Sequence, residues 1–181
     1  MPAGVTWLGG GEGRGKTTLL RLLAGGLPLP TGVNLRLDGK ELVPGLQGFR
    51  PHVAWFDPFN VAFDHHTVTQ CWATAAQGFP LRDTALLLQL QEHLGLSHHL
   101  DKTLAMLSTG SKRKVWLAAA LSSGASVTLL DMPFAALDKA SIHCVLDLLH
   151  ECAGHPNRAW VVADYVAPAG ISLAHTIDLG D

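Results

Sequence analysis

Short apolar runs alternate along the chain with longer segments in which apolar residues recur at helical spacing. The apolar runs have the length of β-strands, and they lie at residues 5–8, 53–56, 127–131, 159–165 and, less clearly, 175–180. The segments between them predict helices, because their apolar positions fall on one face and several segments end at glycine. Strands that are apolar on both faces and alternate with helices predict a mainly parallel sheet in a three-layer α/β/α fold.

The middle of the chain departs from this alternation. Residues 67–106 are predicted to be mainly helical, with TALLLQLQEHLGL as the clearest amphipathic stretch. The block from about residue 59 to 107 is therefore predicted to be a helical subdomain inserted in the sheet scaffold, with Pro58 closing the strand before it. Upstream, every second residue is apolar in residues 33–37, which predicts one strand between turns.

Composition narrows the class of protein. A length of 181 residues suits one well-cored domain, so residues 1–181 are predicted to form a single domain. Lysine and arginine number 13 against 15 for aspartate and glutamate, a net charge of −2 that gives no electrostatic basis for nucleic acid as a main partner. No apolar run reaches the roughly 18 residues needed to cross a bilayer, and no signal peptide is visible. Three scattered cysteines predict reduced thiols in a cytoplasmic protein, and the histidine spacing does not support a metal site.

Residues 10–17 read GGEGRGKT and match the pattern GxxxxGK[ST] of a phosphate-binding loop between a strand and a helix. Glycines let backbone N–H groups converge on phosphate oxygens, and the following helix points its positive end at the anion. Lys16 is predicted to contact the β- and γ-phosphates of a nucleotide, and Thr17, with Asp131 at the end of an apolar strand, is predicted to bind Mg²⁺. The plain alternative is a glycine-rich turn that happens to precede a helix. The predicted contact residues in the loop are Gly10, Gly11, Glu12, Gly13, Arg14, Gly15, Lys16, Thr17 and Thr18.

A second motif narrows the type of phosphate-binding protein. LSTGSKRKVWLAAAL, at residues 107–121, resembles the LSGGQ signature and following helix of ATP-binding cassette (ABC) proteins, with Ser108 and Gly110 retained. Asp131 follows at the family's usual interval, and AALD, which ends at Asp138, resembles the loop that comes next in the family. The resemblance covers nearly the whole chain, and it implies ATP as the nucleotide. It also adds Ser108, Gly110, Asp131 and Asp138 to the residues expected to contact ATP.

The resemblance implies a specific assembly. Two cassettes would pair head to tail, as a homo- or heterodimer, so that Ser108 and Gly110 of one chain cap the γ-phosphate bound at residues 10–18 of the partner. Closing and opening of the pair would move a membrane-spanning transporter subunit docked on the helical block. The chain would then lie on the cytoplasmic face of the membrane. In its short length and in the sequence of its motifs, the chain is similar to small export-type cassettes, including those of haem export in cytochrome c assembly.

Four departures from the family pattern concern the chemistry. Met132 stands where the family has its catalytic glutamate, and a thioether cannot accept a proton from water. Asp57 lies in a loop that normally carries a glutamine, and Ala163 or Asp164 stands in place of the switch histidine. Nine residues precede Gly10, so the aromatic residue that usually stacks on adenine is missing from the sequence. Loss of a general base costs about 10²–10⁴ in rate, and we expect very slow ATP hydrolysis by this chain alone.

Several residues also have plain structural explanations. Ser108 is a suitable N-cap for the helix that follows it, and the basic residues 112–114 are either a solvated face or an attraction for the triphosphate. The five tryptophans are predicted to lie mostly in the core, and they are Trp7, Trp55, Trp72, Trp116 and Trp160. Trp72 and Phe79, on the inserted helices, are the better candidates for contact with a membrane subunit.

The predicted function is therefore the ATP-binding subunit of an ABC transporter with impaired hydrolysis. The alternative is a non-hydrolysing ATP-binding cassette with a regulatory role. A stand-alone P-loop kinase is disfavoured by the signature-like segment, by Asp138, and by the scarcity of arginine between Phe49 and Asp101.

Overall fold

A computed structural model describes residues 1–43, 49–57 and 60–180. The strands are β1 (Gly4–Gly9), β2 (Leu35–Leu37), β3 (Lys40–Leu42), β4 (Val53–Ala54), β5 (Val127–Asp131), β6 (Ala159–Ala163) and β7 (Leu173–Asp178). The α-helices are α1 (Lys16–Leu23), α2 (Val68–Ala76), α3 (Thr84–His93), α4 (Thr109–Leu121) and α5 (Lys139–Cys152). Short 3₁₀ helices lie at Arg50–His52, Val61–Phe63, Ser97–His99 and Leu104–Met106.

One parallel sheet contains five of these strands, in the order β4-β5-β6-β1-β7. Parallel neighbours need long crossover connections, so strands that are adjacent in the sheet lie far apart in the chain. The register pairs both Leu8 of β1 and Asp131 of β5 with Ala163 of β6. These three strands therefore end together, and the loops that follow them meet at one edge of the sheet.

The two faces of the sheet are covered by different helices. Along β6, Trp160 and Val162 belong to a large apolar core shared with α4 and α5, whereas Val161 and Ala163 pack in a second core with Leu20 of α1. A strand that is buried on both faces has to be apolar along its whole length, which is the pattern seen in the sequence. The predicted three-layer α/β/α fold is confirmed.

The helical segment lies between β4 and β5 in the chain. Its helices α2 and α3 pack on α4, and each begins at a capping residue whose side chain accepts a hydrogen bond from a backbone N–H of the first turn, Thr67 for α2 and Asp83 for α3. Such caps stabilise a helix by about 1 kcal/mol each. The predicted start of this block at residue 59, and the predicted strand end at Pro58, lie outside the described residues.

Trp72 of α2 is buried inside this helical segment. It is 6% exposed, and its indole Nε1 donates a hydrogen bond to the carbonyl of Val115 in α4 at 3.0 Å. The prediction that Trp72 contacts a membrane subunit is therefore wrong, because α4 covers it. Trp116 and Trp160 are also buried, as predicted, whereas Trp7 and Trp55 are half-buried.

Two predicted strands differ from the structure. Residues 33–37 were expected to form one strand, but Val33 lies in a turn and β2 pairs with β3 in a separate antiparallel hairpin. The strand expected at residues 53–56 contains only Val53 and Ala54. Beyond its end, the Phe56 ring stacks on Trp116, with ring centroids 5.5 Å apart and planes 11° from parallel.

Candidate nucleotide-binding site

The glycine-rich loop between β1 and α1 is held open by its backbone. Gly15 caps α1 with φ at 91°, a left-handed conformation that side chains other than glycine rarely adopt. A Cβ on Gly10 would lie 3.1 Å from the Cβ of Leu179, because the chain after β7 braces the loop. The same brace includes a hydrogen bond from Gly11 N–H to the Gly180 carbonyl at 2.9 Å. This cradle of backbone groups at a helix N-terminus fits an anion such as phosphate.

Lys16 is the charged residue at the centre of this loop. It is 7% exposed, and its Nζ donates to the carbonyls of Gly10 and Gly11 at 2.5 and 2.8 Å. The same ammonium lies 4.2 Å from the centre of the Tyr165 ring. Tyr165 follows β6, and no motif in the sequence indicated it as a site residue. Its approach to Lys16 depends on the way in which β6 and β1 align in the sheet.

Asp131 ends β5 beside the first turn of α1. Its Oδ1 is buried and receives no hydrogen bond within the described part of the chain. Burial raises the pKa of this carboxyl group, an effect that is partly offset by a hydrogen bond from the Thr17 side chain and by the charge of Arg113. A hydroxyl beside a carboxylate with an unsatisfied oxygen is a suitable ligand pair for Mg²⁺, which prefers oxygen and usually takes only one or two carboxylates from a protein.

This magnesium site would depend on phosphate oxygens for its other ligands. Among the described residues, no group of three or more His, Cys, Asp or Glu side chains is arranged to hold a metal ion by itself. Asp57, the residue in the place of the family's glutamine, forms an ion pair with Arg21 of α1 at 3.0 Å. Its charge acts on Asp131 and raises the pKa of that group. Asp57 is therefore near the candidate metal site, where it adds negative charge.

Met132 has an unusual backbone conformation, with φ at 46°. Its N–H donates to the carbonyl of Ala163 at 2.8 Å, and its own carbonyl accepts a hydrogen bond from the Arg113 guanidinium. Ala163 is fully buried in β6, where it belongs to the same apolar core as Leu20. Asp164 is half-buried, and burial raises the pKa of its carboxyl group. Of the segment compared with the switch histidine, Tyr165 is the residue that contacts Lys16.

Arg113 joins the signature helix to the end of β5. The residue is 6% exposed, and its Nη1 donates to the carbonyls of both Asp131 and Met132. Burial lowers the pKa of this guanidinium, and the charges of Asp131 and Asp164 act in the opposite direction. The basic run at 112–114 is therefore not a solvated face, since Lys112 also pairs with Asp64 at 2.8 Å.

The signature residues form a separate group at the N-termini of α4 and α5. Ser108 caps α4 by accepting a hydrogen bond from the backbone N–H of Ser111 at 3.1 Å. Asp138 caps α5 in the same way and forms an ion pair with Lys114 of α4 at 2.5 Å. Gly110 packs against the backbone of the loop between β5 and α5. The structure thus brings Lys16, Thr17 and Asp131 together, and it places Ser108 and Gly110 at the N-terminus of α4, beside the loop that ends at Asp138. Glu12 and Arg14 are exposed on the glycine-rich loop, and Thr18 is exposed on α1.

The family model described as "ABC transporter" matches residues 2–135. The chain belongs to the ABC transporter family. Among the helices of the described residues, none has both the length and the apolar character needed to cross a membrane. The predicted membership in this family, as an ABC nucleotide-binding domain, is confirmed.

Named ABC proteins give the same result. A "cytochrome c biogenesis ATP-binding export protein CcmA" from Wolbachia pipientis wMel is 36% identical over 144 residues, 77% of this chain and 66% of that protein. A "methionine import ATP-binding protein MetN" from Caulobacter vibrioides is 35% identical over 148 residues, 77% of this chain and 44% of that protein. The rat protein "ATP-binding cassette sub-family A member 17" is 31% identical over 153 residues, 83% of this chain and 9% of its own length. The chain thus spans between 9% and 66% of the length of these relatives.

Solved structures confirm the fold. The structure of an "ATP binding subunit of ABC transporter" superposes with a TM-score of 0.75 at 23% identity, over 88% of this chain and 68% of that one. A dimeric post-hydrolysis state of the ATP-binding cassette MJ0796, bound to ADP and Pi, superposes with a TM-score of 0.71 at 20% identity, over 91% of this chain and 75% of that one. At these identities the likeness establishes the ABC ATPase fold of the chain.

Proposed function

We propose that this ABC domain binds Mg-ATP at the loop between β1 and α1 and serves as the ATP-binding subunit of a membrane transporter. The observation that carries the proposal is the placement of the Thr17 hydroxyl beside the buried, unsatisfied oxygen of Asp131. Lys16 precedes Thr17 and turns its ammonium into the adjoining loop. These groups lie where a nucleotide triphosphate with its metal would need a cation, a hydroxyl and a carboxylate.

Each residue has a distinct part in holding the nucleotide. Backbone N–H groups of the loop and the N-terminus of α1 would bind phosphate oxygens. Lys16 would exchange its two carbonyl contacts for the β- and γ-phosphates, and Thr17 with Asp131 would hold the metal. Bound Mg²⁺ supplies positive charge that neutralises the phosphates and orients them.

We propose that ATP hydrolysis, unlike ATP binding, is slow in this chain. No general base follows Asp131, since Met132 occupies that position and its thioether accepts no proton. We propose that the isolated chain holds ATP for much longer than it takes a competent ABC protein to split it. A second cassette, paired as a homo- or heterodimer, would complete the site, and an intact glutamate in such a partner would support turnover there.

An apolar groove offers a contact for the membrane subunit. It has a volume of about 280 Å³ and lies between the end of β4 and the helical segment, with an aromatic lining. The lining aromatics are Trp55, Phe56, Phe63, Phe79 and Trp116. Phe79 is partly exposed and meets Phe56 edge-on at 6.1 Å. An apolar segment of a transporter subunit would dock here and hold the domain at the cytoplasmic membrane surface.

Equilibrium binding tests the nucleotide site directly. Mg-ATP should bind the native protein, and Lys16→Met should weaken binding by roughly 10–100-fold, the cost of losing charge-assisted contacts to phosphate. Lys40→Met removes an exposed charge from β3, outside the site, and should bind like the native protein. Chelation of Mg²⁺ should weaken binding to the native protein more than to Asp131→Asn. Equal affinity of the native protein and Lys16→Met would contradict the proposal.

Membrane association tests the docking groove. In native cells, the fraction of the protein that sediments with membranes should fall in Phe79→Ser. Leu88→Ser provides the control, because Leu88 is 58% exposed on α3 and does not line the groove. Retention of both variants at the native level would contradict the docking site.

The second candidate function is a regulatory cassette that binds ATP without splitting it. The presence of Met132 beside Asp131 favours it, because a domain that only senses ATP needs no general base. Binding of Mg-ATP without phosphate release, in a protein that does not associate with membranes, would favour this function over the first.

A further inference from the structure

The ring of Tyr165 covers the ammonium group of the loop lysine. Lys16 Nζ lies 4.2 Å from the ring centre, while its hydrogen bonds to the carbonyls of Gly10 and Gly11 measure 2.5 and 2.8 Å. An ammonium has three N–H donors, so two are used by the loop and the aromatic face occupies the remaining side. A phosphate oxygen therefore has no free approach to Lys16 in this conformation.

The backbone that carries Tyr165 is fixed. Asp164 N–H donates to the carbonyl of Leu8 at 3.2 Å, and the Trp7 indole donates to the carbonyl of Asp164 at 3.2 Å. Tyr165 N–H in turn donates to Asp164 Oδ1 at 2.7 Å. These bonds tie the segment to β1. The ring can leave Lys16 by rotation of its side chain, and an exposure of 47% leaves room in solvent for that rotation.

We propose that Tyr165 is a gate that competes with the terminal phosphates of a nucleotide for Lys16. This inference rests on the proposed nucleotide site and deepens it. The ring stabilises Lys16 in the orientation seen here, and each nucleotide that engages the lysine has to displace the ring first. Tyr165 thereby sets the affinity of the site for nucleoside di- and triphosphates, and it disfavours occupancy at low ATP concentration.

The gate should affect nucleotides differently according to the number of their phosphates. A lysine of this loop contacts the β- and γ-phosphates, so displacement of the ring is required for ATP and ADP and not for AMP. A cation over an exposed or half-exposed aromatic ring is stabilised by an amount that corresponds to roughly a three- to tenfold change in affinity. Removal of the ring should therefore tighten ATP and ADP binding by that factor and leave AMP binding unchanged.

Binding of Mg-ATP, Mg-ADP and AMP to four proteins tests the gate: the native chain, Tyr165→Ala, Tyr165→Phe and Val166→Ala. Tyr165→Ala should bind Mg-ATP roughly three- to tenfold more tightly. Tyr165→Phe keeps the aromatic face and should restore the native affinity, and Val166→Ala controls for shortening an exposed neighbour, since Val166 is 74% exposed. Unchanged or weaker binding by Tyr165→Ala would overturn the gate, as would a Tyr165→Phe variant that behaves like Tyr165→Ala.

A second measurement separates failure of the gate from failure of the nucleotide site. Tyr165 is the single tyrosine of the chain, so ring-¹³C tyrosine gives one set of aromatic NMR signals without any nucleotide. Lys16→Met removes the ammonium and should shift these signals relative to the native protein, whereas Lys40→Met should not. Ring signals that do not change in Lys16→Met overturn the contact. A shift in Lys16→Met, together with no binding of Mg-ATP by any variant, would uphold the contact and refute the nucleotide site.

Discussion

The carbonyl oxygen of Ala136 occupies the space that a side chain on Gly110 would need. A Cβ built on Gly110 would lie 2.3 Å from that oxygen, a separation that requires the backbone to move. Gly110 is in the first turn of α4, and Ala136 belongs to the loop that joins β5 to α5, with φ at 60°. The glycine of the signature segment is therefore required within its own chain, apart from any contact that it makes with ATP.

We expect Gly110→Ala to destabilise the protein. Alanine is favoured over glycine in a helix by about 0.5–1 kcal/mol, but overpacking against backbone costs about 1–3 kcal/mol. The cost of the clash exceeds the gain in helix propensity, so the free energy of unfolding should fall by roughly 1–2 kcal/mol. The midpoint of urea unfolding would measure this loss.

Gly154→Ala is the matched control for that experiment. No heavy atom lies within 4 Å of a Cβ at Gly154, and its φ is outside the left-handed region. The substitution should leave stability unchanged or raise it by a few tenths of a kcal/mol. Equal midpoints for Gly110→Ala and Gly154→Ala would show that the loop near Ala136 moves aside without a loss in the free energy of unfolding.

Arg113→Met should destabilise the protein more than the loss of a surface charge does. The variant removes the hydrogen bonds that the Arg113 guanidinium donates to the carbonyls of Asp131 and Met132, while the Met132 carbonyl keeps the bond from Ala135 N–H at 3.1 Å. A hydrogen bond from a charged group contributes about 1.5–3 kcal/mol. Lys112→Met, one position earlier on α4, breaks a partly exposed ion pair with Asp64 and should cost less than about 1 kcal/mol. Similar losses in thermal unfolding experiments on the two variants would contradict the role assigned to Arg113.

The apolar pattern predicted the sheet scaffold because burial on both faces leaves a direct record in the sequence. Strand β6 is apolar throughout, and β1 and β5 are mostly apolar, with the buried threonines Thr6 and Thr128 as exceptions. The glycine-rich loop follows β1, and Asp131 is the last residue of β5. The apolar pattern of β2 and β3 predicts their hairpin less clearly. Lys40–Leu42 contains two charged residues in three, and its pairing depends on the turn rather than on burial.

Relationships between distant segments could not be predicted in this way. Tyr165 meets Lys16 because β6 lies beside β1, and the neighbours in a parallel sheet are not apparent from one sequence. Trp72 was a candidate for contact with a membrane subunit, because one sequence does not show that α2 packs on α4. Arg113 was grouped with its basic neighbours, since charge runs are usually solvated, although its helix turns it inward.

The ion pair between Lys114 and Asp138 should make stability depend on pH. The Lys114 hydrogen bond, helped by the backbone and side chain of Ser141, holds the pKa of the Asp138 carboxyl below its usual range. A lowered pKa in the folded state contributes stability above the unfolded value, about pH 4, and the contribution is lost as the pH falls through the folded value. The Tm of the native protein should exceed that of Asp138→Asn at pH 7, by the small amount typical of exposed pairs.

The two proteins should approach each other in Tm as the pH is lowered below about 4. Asparagine keeps the ability to cap α5, so this comparison isolates the charge from the cap. Asp138→Ala removes both and should have the lowest Tm of the three at neutral pH. A difference between native protein and Asp138→Asn that stays constant down to acid pH would show that the carboxylate does not act through its charge.

Met132→Glu should convert a slow ATP-binding domain into a faster ATPase. The substitution places a carboxylate one residue after Asp131, and a positioned general base contributes about 10²–10⁴ in rate, or roughly 3–5 kcal/mol of barrier. Position 132 has a positive φ with methionine already present, so glutamate adds no new demand on the backbone. Phosphate release from saturating Mg-ATP, followed over hours, measures the gain.

Met132→Gln separates the base from the change in side-chain polarity, because glutamine matches glutamate in size and accepts no proton at neutral pH. It should remain as slow as the native protein. If Met132→Glu is also slow while all three proteins bind Mg-ATP, the general base is not the limiting defect, and Tyr165 over Lys16 or the negative charge of Asp57 becomes the next position to change. If the native chain instead turned over ATP at about one per second, a rate typical of enzymes, Met132 would not limit hydrolysis.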